Sequence, residues 1–262
     1  WGFLLVIVLM TSCGEYQSLL KSNDYNLVYK KAIEYYNKGD YQRAMNLLDG
    51  VRSVFVGQAK AQNIAYYRAF CSYNMKDYQI ASDLFKQFIQ TYPESSFAEE
   101  CLYMMGFCDY KASPKPRLDQ QVTEKAIREF QLYLSRYPYS MRKDKVNTYM
   151  DEMRDKLSYK AYLSAKNYYL REHYKAAVIS LQNCLKDYPG SKYREEIMYM
   201  LFVSKYQMAV NSVEDKKVER YNNAREEYYY FADEYPNSRY AADVKKMYED
   251  IEAYLENYKF ED

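Results

Sequence analysis

At 262 residues, with 37 Lys and Arg against 36 Asp and Glu and no long run of either sign, the chain has no electrostatic footprint for a nucleic acid or other polyanion. Only seven glycines and six prolines, with Ala, Leu, Met, Lys and Glu spread evenly, predict a mostly helical protein. One histidine and five cysteines without a CxxC offer no metal spacing, and no phosphate loop or nucleophile elbow occurs, so neither a metal, a cofactor nor catalysis is expected.

The chain opens WGFLLVIVLMTSCGEYQ. Phe3 to Met10 is an apolar run too short to span a bilayer and of the length of a signal-peptide core. Thr11 and Ser12 before Cys13 look like a bacterial lipobox, although Met10 stands where leucine is commonest. Residues 1–12 therefore read as a signal remnant, Cys13 as the lipid attachment site, and residues 13–25 as a lipidated start and polar tether. A diacylglyceryl and N-acyl anchor would hold an otherwise soluble body on a membrane.

From residue 26 a repeat begins. Four Tyr-Pro sites each have an alanine twelve residues upstream: Ala81 with Pro93, Ala126 with Pro138, Ala177 with Pro189 and Ala224 with Pro236. Between the two, apolar residues fall at helical spacing, as in Ala81, Phe85, Phe88, Ile89 and Tyr92. The proline ends that helix, and the serine two places later (Ser95, Ser140, Ser191, Ser238) is expected to cap the next, with Glu99, Asp144, Glu195 and Asp243 near its start. Upstream, Ala32, Ala69 and Ala165 mark partner helices joined by the turns NKGDYQRA, NMKDYQIA and LREHYKAA. This register matches the tetratricopeptide (TPR) pattern of stacked antiparallel helix pairs.

Five divergent pairs are predicted, repeats 1–3 over 26–140 and repeats 4–5 with a terminal helix over 141–262, giving an all-α solenoid. The first copy has Val56 in place of the proline, and the third and fifth carry eight extra residues. Seven places after the central alanine stand Val51, Phe88, Tyr133, Cys184 and Phe231, bulkier than the alanine the general pattern prefers. Met141 to Tyr174 has neither glycine nor proline and predicts one long helix joining the two sets. ASPKPRLDQQ, Ala112 to Gln121, predicts an exposed loop. His173 is placed at a turn or on the surface, and Cys71, Cys101, Cys108 and Cys184 in the core.

Lipobox, tether and five divergent repeats resemble the BamD family, the lipoprotein members of the bacterial outer-membrane β-barrel assembly machinery. The most specific stretches are RLDQQVTEKAIREFQLYLSRYPYS and AKNYYLREHYKAAVISLQNCLKDYPGSKYREE. The resemblance implies a periplasmic, non-enzymatic scaffold anchored through Cys13 in the inner leaflet of the outer membrane. Its N-terminal repeats would receive unfolded outer-membrane proteins, and its C-terminal repeats would dock on the periplasmic domains of the barrel insertase. Tyrosine has an apolar body and a polar tip, and among the 35 present Tyr36, Tyr66, Tyr67, Tyr73, Tyr103 and Tyr110 are the candidates for a peptide groove. Arg194, Lys205 and Tyr206 are the candidates for insertase docking. The alternative is a TPR envelope lipoprotein that scaffolds peptidoglycan synthesis or cell division.

Overall fold

In the computed structural model, residues 14–258 are described; the apolar run Phe3 to Met10 and the lipid-attachment candidate Cys13 lie outside them. From Tyr25 onward, eleven helices follow one another among the described residues: α1 (Tyr25–Asn37), α2 (Tyr41–Val51), α3 (Ala59–Asn74), α4 (Tyr78–Thr91), α5 (Ala98–Ala112), α6 (Gln121–Arg136), α7 (Lys143–Leu170), α8 (Tyr174–Asp187), α9 (Arg194–Val210), α10 (Glu214–Glu234) and α11 (Ala241–Tyr258). There is no strand among the described residues. The fold is all-α, five TPR-type helix pairs closed by α11. Two compact units divide it, one ending at Met153 and the other beginning at Arg154, inside α7.

The expected tether is corrected in part. Residues 14–20 are helical, and Leu19 is buried in the first core. Tyr16 meets Tyr35 edge-on at 6.0 Å, and Glu15 pairs with Lys31 at 2.8 Å. Amphipathic rings and a charge pair thus dock a segment whose polarity had read as linker.

The four Tyr-Pro junctions are copies of one another. Tyr92, Tyr137, Tyr188 and Tyr235 end their helices with φ near −130° and ψ near 60°, off the helical region as a residue before proline must be. Each donates its N–H to the carbonyl of the bulky residue four back: Phe88, Tyr133, Cys184 or Phe231. With Val51, those bulky residues are all buried. The following serine does not cap a helix directly. Its hydroxyl accepts the N–H two residues on, of Phe97, Arg142, Tyr193 or Tyr240, and forms a turn that the next helix continues.

The turns inside the pairs repeat as well. Gly39, Lys76 and Glu172 occupy equivalent places, two residues before the second helix, with φ of 81°, 67° and 58°. In each, three successive N–H groups return to the carbonyls of the preceding helix, a left-handed C-cap for which glycine is best suited. Lys76→Gly and Glu172→Gly should each raise stability by about 0.5–1 kcal/mol, measured as a shift in denaturant midpoint without a change in slope.

The eight extra residues are spent differently in the two repeats that have them. In the third they form the loop 113–120, which is not simply exposed as expected: Gln120 is buried, its amide donating to the carbonyls of Lys115 and Leu118 and its oxygen accepting from Thr123. In the fifth they lengthen α9 and α10 to 17 and 21 residues. The long helix α7 has 28 residues, about 42 Å. Gly106 lets α5 approach α6, because a Cβ there would stand 2.9 Å from the Phe130 ring, itself fully buried. Gly106→Ala should therefore cost about 1–3 kcal/mol in the same denaturation measurement.

Cys71, Cys101, Cys108 and Cys184 are buried, and burial raises all four thiols, to about 12 for Cys71 and Cys101 and about 11 for Cys184. They are packing residues, with no thiolate character for chemistry. His173 is exposed in the turn before α8.

Candidate binding surface

The first helices of the pairs carry a register that repeats with the fold: tyrosine at one position, a second residue four later, and tyrosine again seven later. The triads are Tyr29, Ile33 and Tyr36; Tyr66, Phe70 and Tyr73; Tyr103, Phe107 and Tyr110; Tyr162, Lys166 and Tyr169; Tyr199, Val203 and Tyr206. Spacing of four and seven places all three on one helix face.

The leading tyrosine of each triad grips the next junction. Tyr29 meets Phe55, Tyr66 meets Phe97 with ring centroids 4.6 Å apart, Tyr162 meets Tyr193 at 4.4 Å, and Tyr199 meets Tyr240 at 4.0 Å. In the third repeat the partner is a cation, Arg142, whose guanidinium lies 4.6 Å over Tyr103. Four residues earlier on the last four of these helices, a polar side chain holds the junction serine. Ser95 donates to Gln62, Ser140 to Glu99 and Ser238 to Glu195, while Ser191 accepts from the buried Ser158. Glu99 and Glu195, expected only as helix-start acids, are thus clasps between successive pairs. Tyr103, only 7% exposed, is thereby committed to repeat packing, while Tyr66 stays half-buried and belongs to both the junction and the ring surface.

The other ring candidates remain on the surface of the first helices of unit 1, half-buried. Tyr36 contacts Tyr67 at 4.9 Å, and Tyr67 contacts Tyr66 at 5.6 Å. Phe70 contacts Tyr73 at 6.3 Å, and Tyr73 contacts Phe107 at 6.2 Å. Phe107 stacks on Tyr110 at 5.9 Å, which stacks on Tyr149 of α7 at 4.4 Å. Since Tyr66 also touches Phe70, the rings form one unbroken band across α1, α3, α5 and α7. Phe70, Phe107 and Tyr149 belong to it and were not anticipated; the repeating triad is the signal that finds the first two.

The band is rigid on its polar side. The Tyr36 hydroxyl accepts from Asn74, and the Tyr110 hydroxyl donates to Glu152 at 2.5 Å. Burial pushes Tyr36 up to about 12, and the bond to Glu152, then burial, pushes Tyr110 to the same value, so both stay neutral donors near neutral pH. What the band offers is stacking area with fixed hydroxyl tips.

The docking candidates of unit 2 are half-buried, and each has a partner within the unit. Arg194 donates from Nε and Nη2 to the two carboxylate oxygens of Glu234 at 2.5 and 2.9 Å, tying the start of α9 to the end of α10. Lys205 pairs with the buried Glu227. Tyr206, the last tyrosine of the fifth triad, donates to Asp250 of α11.

Unit 1 also encloses a polar cluster. Asp109, 2% exposed, accepts from Lys125 at 2.8 Å and from Ser82 at 3.0 Å. Glu129, 8% exposed, stands 3.7 Å from Lys125, and its Oε2 has no hydrogen-bond partner. Burial, then the neighbouring Asp109 carboxylate, raises Glu129 to about 8 against the pull of Lys125 and Lys86. No group of His, Cys, Asp or Glu able to hold a metal occurs among the described residues, and none of their helices is long and apolar enough to cross a membrane.

Paired helices, repeated junctions and an aromatic band on the first helices define a TPR-type protein whose surface suits binding extended or helical segments. The chain belongs to the YfiO family, described as outer membrane lipoprotein, which it matches over residues 21–196 and 160–261. No match is found among curated proteins. Similar solved structures include a TPR repeats protein from Bacteroides fragilis NCTC 9343, 13% identical with a TM-score of 0.42 over 88% of this chain and 99% of that one. Others are the TPR2AB domain of yeast Sti1 with pHSP90 (13%, TM-score 0.39, 87% and 98%) and the human IFIT1 dimer with PPP-AAAA (17%, TM-score 0.31, 96% and 63%). At these TM-scores the likeness adds nothing to what the helix pairs themselves establish.

Proposed function

We propose that this family member is a non-enzymatic scaffold for the assembly of outer-membrane β-barrel proteins, as its resemblance to BamD implies. The aromatic band from Tyr36 to Tyr149 is the observation that carries the reading. Strands of outer-membrane barrels are rich in aromatic residues at their ends. A band of half-buried rings takes such side chains by stacking, and its hydroxyl tips serve the peptide groups between them. Unit 1 is thus the receiver of unfolded barrel proteins. Unit 2 is the part that docks on periplasmic domains of the insertase, with the half-buried Arg194, Lys205 and Tyr206 as its candidate contacts. A lipid on Cys13 would hold the protein in the inner leaflet of the outer membrane, facing the periplasm.

Affinity purification of the tagged chain from detergent-solubilised outer membrane tests this. The barrel insertase should co-purify, and depletion of the chain should lower the amounts of outer-membrane barrels. Recovery of cell-wall synthases without the insertase, at unchanged barrel levels, would contradict it and favour the peptidoglycan or division scaffold.

A further inference from the structure

A second surface of unit 1 lies away from the band. Between α4 and α6, floored by α5, runs a groove of about 370 Å³. Its floor is Leu102 and Met105, which lie about 140° round α5 from the stripe of Tyr103, Phe107 and Tyr110. Leu132, 53% exposed, stands at its lip. The two floor residues are buried, 1% and 5% exposed, so the apolar surface the groove offers is the half-buried Ile89 and the exposed Leu132.

Its charge is one-sided. Lys86, Lys125 and Arg128 line it, and the sole acidic liner is Glu129. Lys125 is committed to Asp109, but Lys86 has no ion pair among the described residues, and Arg128 has only a 4.0 Å contact with the exposed Glu124. Lys86 and the weakly paired Arg128 are thus the cations the groove offers a partner. On the α6 wall, Glu129 Oε2 is buried without a hydrogen-bond partner.

We propose that this groove docks an acidic amphipathic segment of a partner protein, with a large apolar side chain seated between Ile89 and Leu132 and its flanking carboxylates on Lys86 and Arg128. The complementary charge and the space between two parallel helices suit a helix laid in a groove. A flat anionic membrane would meet the rim cations but not the recessed floor. The site is separate from the aromatic band, so it can be occupied whether or not barrel segments are bound there.

The probe is a capped helical peptide of roughly fifteen residues with leucines at every third or fourth position and glutamates beside them, titrated by fluorescence anisotropy into the full chain. It should bind saturably. Lys86→Glu with Arg128→Glu should weaken binding at least tenfold, and Leu132→Ser several-fold. These side chains are exposed, so superimposable melts of the variants are expected. Lys175→Glu, on unit 2, should leave binding unchanged, and a peptide with lysine in place of glutamate should not bind. Failure of the wild type to bind, equal binding by the double variant, or an equal loss in Lys175→Glu would overturn the proposal. So would a chain that ignores the peptide yet is retained on phosphatidylglycerol vesicles through Lys86 and Arg128, which would make the surface lipid-facing.

Discussion

Lys125→Met should destabilise unit 1 by about 3–5 kcal/mol, read as a fall in denaturant midpoint, because it strands a buried carboxylate without its cation. Asp109 is nearly inaccessible to water and depends on Lys125 and Ser82 for its bonds. The aliphatic length of the lysine is kept by methionine, so lost packing is a minor part of the effect. Adding Asp109→Leu to Lys125→Met should recover most of the loss, since removing both partners leaves no buried charge. If the single change costs less than about 1 kcal/mol, the cluster is solvated and the assignment fails.

Glu129→Gln should act through pH. The native carboxyl titrates near 8, above its ordinary value of 4.5, so folding holds a proton that the unfolded chain releases. The stability linked to Glu129 is fully present below about 4.5 and is lost as pH rises through about 8. In the variant that slope is absent. Compared with wild type, Glu129→Gln should therefore gain stability between pH 5 and 9, by about 3–4 kcal/mol at the alkaline end. Denaturation midpoints measured at both ends of this range decide it; parallel pH profiles would show that Glu129 is ionised in the fold.

Much of this fold was legible. Proline stops a helix for local reasons, so the constant alanine-to-proline offset located α4, α6, α8 and α10, and the absence of glycine and proline predicted α7. The buried cysteines and bulky residues at Val51, Phe88, Tyr133, Cys184 and Phe231 also followed from helical spacing. What stayed hidden depends on which helix face meets which neighbour. Tyr66 and Tyr103 look like Tyr73 and Tyr110 in the sequence, yet their leading place in each triad commits them to Phe97 and Arg142 at the junctions. Arg194, Lys205 and Tyr206 were equally ambiguous, because a charged or hydroxylated helix residue gives no local sign that Glu234, Glu227 or Asp250 lies across the pair.

Asp109 and Glu129 are the sharpest case. Carboxylates on amphipathic helices ordinarily face water, and these two are buried because Gly106 and the wound loop around Gln120 bring α5 and α6 together. Residues 14–20 misled in the opposite sense: polar composition suggested a tether, while Tyr16 and Leu19 supply enough apolar surface to dock the segment on the first repeat.

The central claim is that the first-helix rings of unit 1 receive aromatic-bearing segments, and binding of a peptide copied from the aromatic end of an outer-membrane barrel strand tests it most directly. With the full chain, Tyr36→Ala combined with Tyr73→Ala should weaken the peptide at least tenfold, about 1.4 kcal/mol or more, while the melting curve remains cooperative. Unchanged affinity in that variant, with the peptide still bound by wild type, would contradict the account.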